Sequence, residues 1–314
     1  MSASSSKKVI YAALAGNTLI AITKFIASSM TGSSAMLSEG IHSLVDTGNQ
    51  GLLLYGMKQA NKPASKEFPF GHGKEIYFWS FVVAILVFAL GAGVSLYGGI
   101  KHIIHPSEIE SPLINYIVLI LAMVFEGSAF IFALKEFKKV KGQLTYFEAV
   151  KHGKDPSMFV VLFEDGAALL GLFVALIGIF LTQITGIAIF DGIASVIIGL
   201  ILAATATWMA VETKGLLIGE SAEPAIIKGI EEMVDEIEAI ERTNEVLTMH
   251  MGPDYILVNV SADFSSDASA DDVESSIALL DKQIKKRFPR VKRIFVEAES
   301  REHFLITNKE EMSH

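Results

Sequence analysis

The first two thirds of the chain alternate long apolar runs with short polar breaks. About 20 helical residues cross a hydrocarbon core of about 30 Å, and six of the runs reach that length. The breaks contain the polar, charged and glycine residues that are typical of loops. The pattern predicts an α-helical membrane domain over residues 1–213 with six transmembrane helices, at 8–30, 34–60, 75–103, 112–137, 156–182 and 187–213.

Beyond residue 213 the pattern changes to that of a small soluble domain. Helical spacing of apolar residues after Pro224 and over 271–288 alternates with strand-like segments at 245–251, 255–264 and 293–297. The turn sequence Gly252-Pro253-Asp254 joins the first two strands as a hairpin. The order αββαβ predicts a C-terminal α+β domain over 214–302, two helices on one face of a three-stranded sheet, followed by a flexible tail at 303–314.

The lysines are divided unevenly among the polar breaks. Of the breaks before and between the helices, the first, third and fifth carry a single lysine, Lys101. By the positive-inside rule the lysine-rich side is cytoplasmic, so both termini are expected there, in a multi-pass protein of a bacterial inner membrane. The lysines of that side are at 7, 8, 58, 62, 66, 74, 135, 138, 139, 141, 151 and 154.

Composition supports the membrane assignment and excludes several functions. The chain is 51% hydrophobic, with a mean hydropathy of +0.45. It has no cysteine, which leaves His, Asp and Glu as the strong metal ligands. The net charge of −9 argues against nucleic acid as a partner. Because no nucleotide-binding loop or protease motif is present, we expect neither an enzyme nor a pump driven by nucleotide hydrolysis.

Two of the apolar runs carry ionisable residues. His42 and Asp46 are four residues apart and share one helix face, and Glu164 and Asp165 lie in the fifth run. At about 1.5 Å per residue, both pairs lie roughly 12–18 Å from the nearer end of their helices, close to the midplane. A carboxylate there costs roughly 2.5 to 3.5 kcal/mol, which indicates a functional role. These charges repel one another unless a divalent cation or protons neutralise them.

Three further polar residues are embedded in the runs, namely Asn17, Lys24 and Glu126. Each fits helix packing or an ion pair as well as it fits a proton relay. The sequence leaves these roles open.

Several motifs resemble those of the cation diffusion facilitator family. They are Ser38-x-x-x-His42-x-x-x-Asp46, Gly71-His72-Gly73-Lys74, the acid in the fifth helix, Asp191-Gly192-Ile193-Ala194-Ser195 and the αββαβ tail. The wording is closest to the branch of the animal mitochondrial zinc exporter. The resemblance implies a homodimer with a metallochaperone-like C-terminal domain that exports zinc or a similar divalent metal in exchange for protons. The metal is then the substrate, and no prosthetic group is expected.

The resemblance also implies a ligand set. His42, Asp46 and Asp165 match the family pattern, but Val161 occupies the position where common members carry the fourth ligand. Glu164 is therefore the candidate for the missing ligand. Adjacent helical residues point about 100° apart, so Glu164 can join Asp165 only by reaching round or through a local distortion.

Two other metal sites of the family are incomplete in this sequence. In the loop before the third helix His72 remains, while Ser65 and Phe68 occupy the other ligand positions. In the C-terminal domain the matching positions are Asn259, Glu297 and Glu299, which fit exposed strand-end side chains better than a metal site.

We expect a secondary transporter that exports zinc. One imidazole nitrogen and two or three carboxylates also suit manganese or ferrous iron, so an exporter of either metal is an alternative. A membrane-tethered metal sensor without transport is a second alternative. An intramembrane metal-dependent hydrolase is disfavoured because the sequence offers no identifiable nucleophile.

Overall fold

The computed structural model describes residues 3–106, 112–141 and 156–311. Contacts divide the chain into two compact units, the first Met1–Gln59 with Glu75–Lys214 and the second Ala60–Lys74 with Gly215–His314. The second unit therefore includes the loop between the second and third apolar runs, which the sequence pattern assigns to the membrane domain.

The first unit consists of helices whose bounds follow the apolar runs closely. The exception is the last helix, which continues to Ile218 instead of ending at 213 and stops at Gly219, whose φ is +129°. The helices are α1 Ala3–Thr31, α2 Ser34–Ala60, α3 Glu75–Leu86, a π-helical segment Val87–Ala92 leading into α4 Gly93–Ile104, α5 Pro112–Lys141, α6 Pro156–Thr185 and α7 Ile189–Ile218.

Four helical segments in the described part of the chain are long and apolar enough to cross a membrane. Helix α2 is also long enough, but its acids, amides and imidazole lower its apolar content. Large apolar side chains such as Leu121 and Phe125 are exposed, which suits contact with lipid tails. The candidate spans are Glu75–Ile104, Leu113–Lys135, Val160–Thr185 and Ile189–Ile218.

Small residues allow the helices of this unit to pack closely. A Cβ atom at Gly99 of α4 would lie 2.8 Å from the backbone oxygen of Gly192 in α7. Glycine at such a crossing lets two backbones approach, a common device between membrane helices. The apolar core therefore forms around α4, α6 and α7, with Leu172, Ile179, Ile198 and Leu202 buried in it.

The second unit has the predicted order αββαβ. Strand β1 is antiparallel to β2, β2 is parallel to β3, and the hairpin turns at Pro253 and Asp254. Helices α8 and α9 share one apolar core with the sheet, through Ile230, Val258 and Leu280. The elements are α8 Pro224–Asp235, β1 Ile240–Gly252, β2 Tyr255–Phe264, α9 Ala270–Arg287, β3 Val291–Ala298 and α10 Arg301–Glu311.

Helix α10 occupies much of the segment for which the sequence predicts a flexible tail. Its first turn is held in place because the Arg301 backbone N–H donates to Asp263 Oδ2 at 3.0 Å and the Phe304 N–H donates to Ser300 O at 3.0 Å. The polar composition after residue 302 obscures this helix in the sequence.

Helix α9 begins with a capping box. The Asp272 N–H donates to Ser269 Oγ at 3.2 Å, and the Ser269 N–H donates to an Asp272 carboxylate oxygen at 3.0 Å. The hydrogen bonds from Ser269 hold the pKa of the Asp272 carboxyl below its usual value. The cap therefore places the start of α9 at Ala270.

The loop 60–74 packs on the β1–β2 hairpin within the second unit. Gly73 contacts the Met251 carbonyl so closely that a Cβ atom there would collide with it, and Gly252 lies next to the same backbone. Lys74 Nζ lies 3.6 Å from Met249 Sδ. A glycine at both positions is what permits this backbone contact.

Candidate metal centre

One face of α2 carries a row of buried polar side chains. Glu39, His42, Asp46 and Asn49 recur every three or four residues, and each is at least 96% buried. This spacing aligns them on one side of the helix over about 15 Å, at about 1.5 Å per residue. The arrangement places an imidazole, two carboxyl groups and an amide along a single line inside the apolar unit.

The N-terminus of this helix is fixed by Asp191 at the start of α7. One carboxylate oxygen accepts from the backbone N–H groups of Ser34 and Ala35 at 2.6 and 3.2 Å, and the other accepts from Ser33 Oγ at 2.6 Å. His102 Nδ1 lies 3.1 Å from the same carboxylate. Asp191 thus caps α2 and stabilises the positive end of its dipole.

His42 and Asp46 form the centre of the row. His42 Nδ1 lies 3.3 Å from Asp46 Oδ1. Among the described residues, His42 Nε2 has no hydrogen-bond partner. A buried polar atom normally has a partner, so an unpaired nitrogen in this position is available to a ligand.

Helix α6 brings Glu164 to this row. Glu164 is buried, its Oε1 accepts from Asn49 Nδ2 at 2.6 Å, and its carboxyl group lies within hydrogen-bonding reach of Asp46. A hydrogen bond between two carboxyl groups requires a proton on one of them. The structure therefore brings together His42, Asp46 and Glu164, with Asn49 as an additional polar contact.

Asp165 does not share this position. It is half-buried, and the acids that act on it electrostatically are its neighbour Glu164 and Glu126 of α5. The next residue on a helix points about 100° away, so α6 as it stands presents Glu164 to α2. No three His, Asp or Glu side chains in the described ranges are arranged as a complete ligand set. Metal binding therefore requires these side chains to move closer together.

Sequence reasoning missed Asn49. The signal was present, because Asn49 lies three residues after Asp46 and therefore on the same helix face. What the spacing does not reveal is its partner, since Glu164 is 115 residues away.

The other candidate sites are less developed. The His72 ring lies 4.4 Å from the ring of Phe68, a neighbour that offers no ligand atom. In the second unit Asn259, Glu297 and Glu299 line a cavity of about 220 Å³ together with Glu245, below Phe304 of α10. Glu297 and Glu245 are exposed, so water can solvate their charges.

Comparison with known families decides the class of the protein. The cation efflux transmembrane domain matches residues 10–218, more than half of the chain. The chain belongs to the cation diffusion facilitator family. The predicted resemblance is confirmed, and the chain is a multi-pass membrane protein of cation efflux transport, not a member of a family of enzymes.

Related members of this family carry names that specify metals. A mitochondrial proton-coupled zinc antiporter of Xenopus laevis is 34% identical over 82% of this chain and 46% of its own length. Metal tolerance protein C4 of Arabidopsis thaliana is 26% identical over 83% of this chain and 57% of its own length. The manganese efflux system protein MneP of Bacillus subtilis is 22% identical over 93% and 95%. The chain spans about half the length of its mitochondrial relatives.

Proposed function

We propose that the protein is a secondary transporter that exports a divalent transition metal, zinc in the first place, from the cytoplasm in exchange for protons. The observation that carries the proposal is the buried group of His42, Asp46 and Glu164 between α2 and α6. The proposed ligands are His42, Asp46, Asp165 and Glu164. Glu164 is in position, and Asp165 joins when α6 rotates or distorts locally.

The chemistry of these side chains supports a transition metal. An imidazole nitrogen with carboxylate oxygens suits tetrahedral zinc, whereas an all-oxygen set would favour magnesium or calcium. The same set accepts manganese, and the similarity to a manganese efflux protein over nearly the full length keeps manganese as the second candidate.

Proton exchange follows from the state of the ligands. An imidazole binds a metal in its neutral form, and a carboxyl group binds as a carboxylate, so metal binding releases any proton that these groups hold. The contact between the Asp46 and Glu164 carboxyl groups holds such a proton when it forms a hydrogen bond.

The membrane arrangement completes the proposal. Six helices cross the bilayer, both termini are cytoplasmic by the distribution of lysines, and two copies form a homodimer. With this orientation the N-terminal end of α2, at Ser34, faces the side to which the metal is released.

A flux experiment tests the function. The purified protein is reconstituted into liposomes, a pH difference is imposed, and uptake of zinc, manganese and ferrous iron is followed with a metal-sensitive dye. We expect uptake of one of these metals that depends on the pH difference and disappears in Asp46→Asn. Metal binding without flux of any metal would instead indicate a membrane-tethered sensor.

A further inference from the structure

Lys24 of α1 forms a fully buried ion pair with Glu39 of α2. The Lys24 and Glu39 side chains are both 0% exposed, and Lys24 Nζ donates to Glu39 Oε2 at 3.2 Å and to Ser43 Oγ at 2.7 Å. Burying such a pair costs more free energy than an apolar contact of the same size. A tie between two helices does not require charges, so the pair calls for an explanation beyond packing.

The second oxygen of the Glu39 carboxylate is free to take a proton. Among the described residues Glu39 Oε1 has no hydrogen-bond partner, although it is buried. It points at Gly171 of α6, where a Cβ atom would collide with it, and Ile198 of α7 lies beside the same glycine position. The charged residues that act on Glu39 are Lys24 from α1 and Glu126 from α5.

A line of polar groups connects this oxygen's neighbourhood with the N-terminal end of α2. The hydroxyl groups of Ser38 and Ser195 are in contact, and Ser195 Oγ donates to the Ser95 carbonyl at 3.1 Å. Closer to the end of the helix lie Asp191 and His102. These groups offer proton-carrying steps through an otherwise apolar region.

The ion pair lies next to the proposed metal ligands. Glu39 precedes His42 by three residues, about 4.5 Å along the helix axis. The charge of Lys24 acts electrostatically on both His42 and Asp46. Any change in the balance of the pair is therefore felt at the metal centre.

We propose that the Lys24–Glu39 pair couples proton binding to metal release through charge, a role that rests on the transport function proposed above. A proton that adds to Glu39 Oε1 converts the carboxylate to a neutral acid, and the Lys24 ammonium loses its counter-charge. The unbalanced positive charge repels a divalent cation at His42 and Asp46. Loss of the same proton restores the pair, and the metal centre regains its affinity. Glu39 and Lys24 act as positioning residues of the electric field and do not ligate the metal.

Two variants and their combination test the proposal. In Glu39→Gln the ammonium is permanently unbalanced, so calorimetry at pH 7.5 should show metal binding weakened by roughly tenfold or more. In the neutral double variant Lys24→Met with Glu39→Gln, affinity should return to within about threefold of the native value. The double variant should still carry metal down its gradient, but a pH difference should no longer drive uphill uptake.

A matched control separates charge from packing. Thr31 of α1 makes another buried polar contact, to Asn115 of α5 at 2.9 Å, so Thr31→Val removes a polar tie without altering the charge balance. We expect this variant to keep native affinity and proton-driven uptake.

Three results would overturn the proposal. They are a double variant that binds metal as weakly as Glu39→Gln, a double variant that retains proton-driven uptake, and a Thr31→Val variant that loses coupling to the same extent. Absence of metal flux in the native protein would instead refute the transport function, so the two failures are distinguishable. Size-exclusion profiles verify that each variant is folded.

Discussion

Acidic side chains gather in both units of the molecule, but in different surroundings. On α2 and α6 Asp46 and Glu164 are buried among apolar helices, whereas on the C-terminal sheet Glu245 and Glu297 are exposed. Two unit charges about 4 Å apart interact by about 4 kcal/mol at an effective dielectric of about 20, and by about 1 kcal/mol in water. Burial therefore separates a group that must be neutralised from one that water already stabilises.

The largest effect that this comparison predicts is the loss of transport in Asp46→Ala. Removing this carboxylate takes a ligand from the proposed centre, and we expect metal flux into liposomes to fall by roughly 100-fold, equivalent to about 2.7 kcal/mol. The protein should remain folded, because one of the repelling acids is gone. The matched variant Glu297→Ala should keep near-native flux. If the two variants behave alike, burial does not mark the functional cluster.

The next effect concerns the two adjacent acids of α6. Glu164→Gln should weaken metal binding at least tenfold, about 1.4 kcal/mol, because Glu164 is the acid that faces Asp46. Val161→His, one turn before Asp165, should restore part of the affinity in that background. Calorimetry measures both. An unchanged affinity in Glu164→Gln, together with a loss in Asp165→Asn, would assign the ligand role to Asp165 and require α6 to rotate.

A smaller effect is expected in the pH dependence of metal binding. Protons compete with metal for the imidazole, whose reference pKa is about 6.5, so affinity should fall as the pH is lowered from about 7.5 to 6. His42→Asp should flatten this dependence because a carboxylate titrates at lower pH. Calorimetry in two buffers of different ionisation enthalpy counts the protons that are released. A native count of zero at neutral pH would place proton coupling outside His42.

The smallest effect concerns the C-terminal unit. Ser269→Ala removes the N-cap of α9 and should lower the stability of that helix by about 1 kcal/mol, measured by hydrogen exchange. The Asp272 carboxyl has a lowered pKa in the folded protein. Its contribution is therefore present above its unfolded pKa and is lost as the pH falls through the folded value. Metal transport should not change in this variant, whereas a loss of transport would link the two clusters.

The sequence predicts well what depends on local pattern. Apolar run lengths place the helices within a few residues, because a helix that faces lipid or core continues as long as its apolar residues do. The hairpin at Pro253 and Asp254 is predicted correctly, because its turn residues have strong backbone preferences. The His42–Asp46 pair is visible because its spacing equals one helical turn.

What depends on distant contacts is not predictable in this way. Lys24 is recognisable as an embedded charge, but its partner Glu39 is found only when α1 packs on α2. The orientation of Glu164 towards Asn49 depends on how α6 is rotated about its axis, which periodicity does not fix to within one residue. Helix α10 is missed because polar residues dominate it and its anchor is a distant aspartate, Asp263.

The contact of Gly73 with Gly252 has a consequence for the exchange of parts between relatives. A chimaera joined at residue 214 would combine a native loop 60–74 with a foreign hairpin, although the two backbones fit each other only where both positions are glycine. The loop and the C-terminal domain are thus one module that is encoded in two separate pieces. A functional graft should carry both pieces, and the compatibility of this pair limits which relatives can exchange domains.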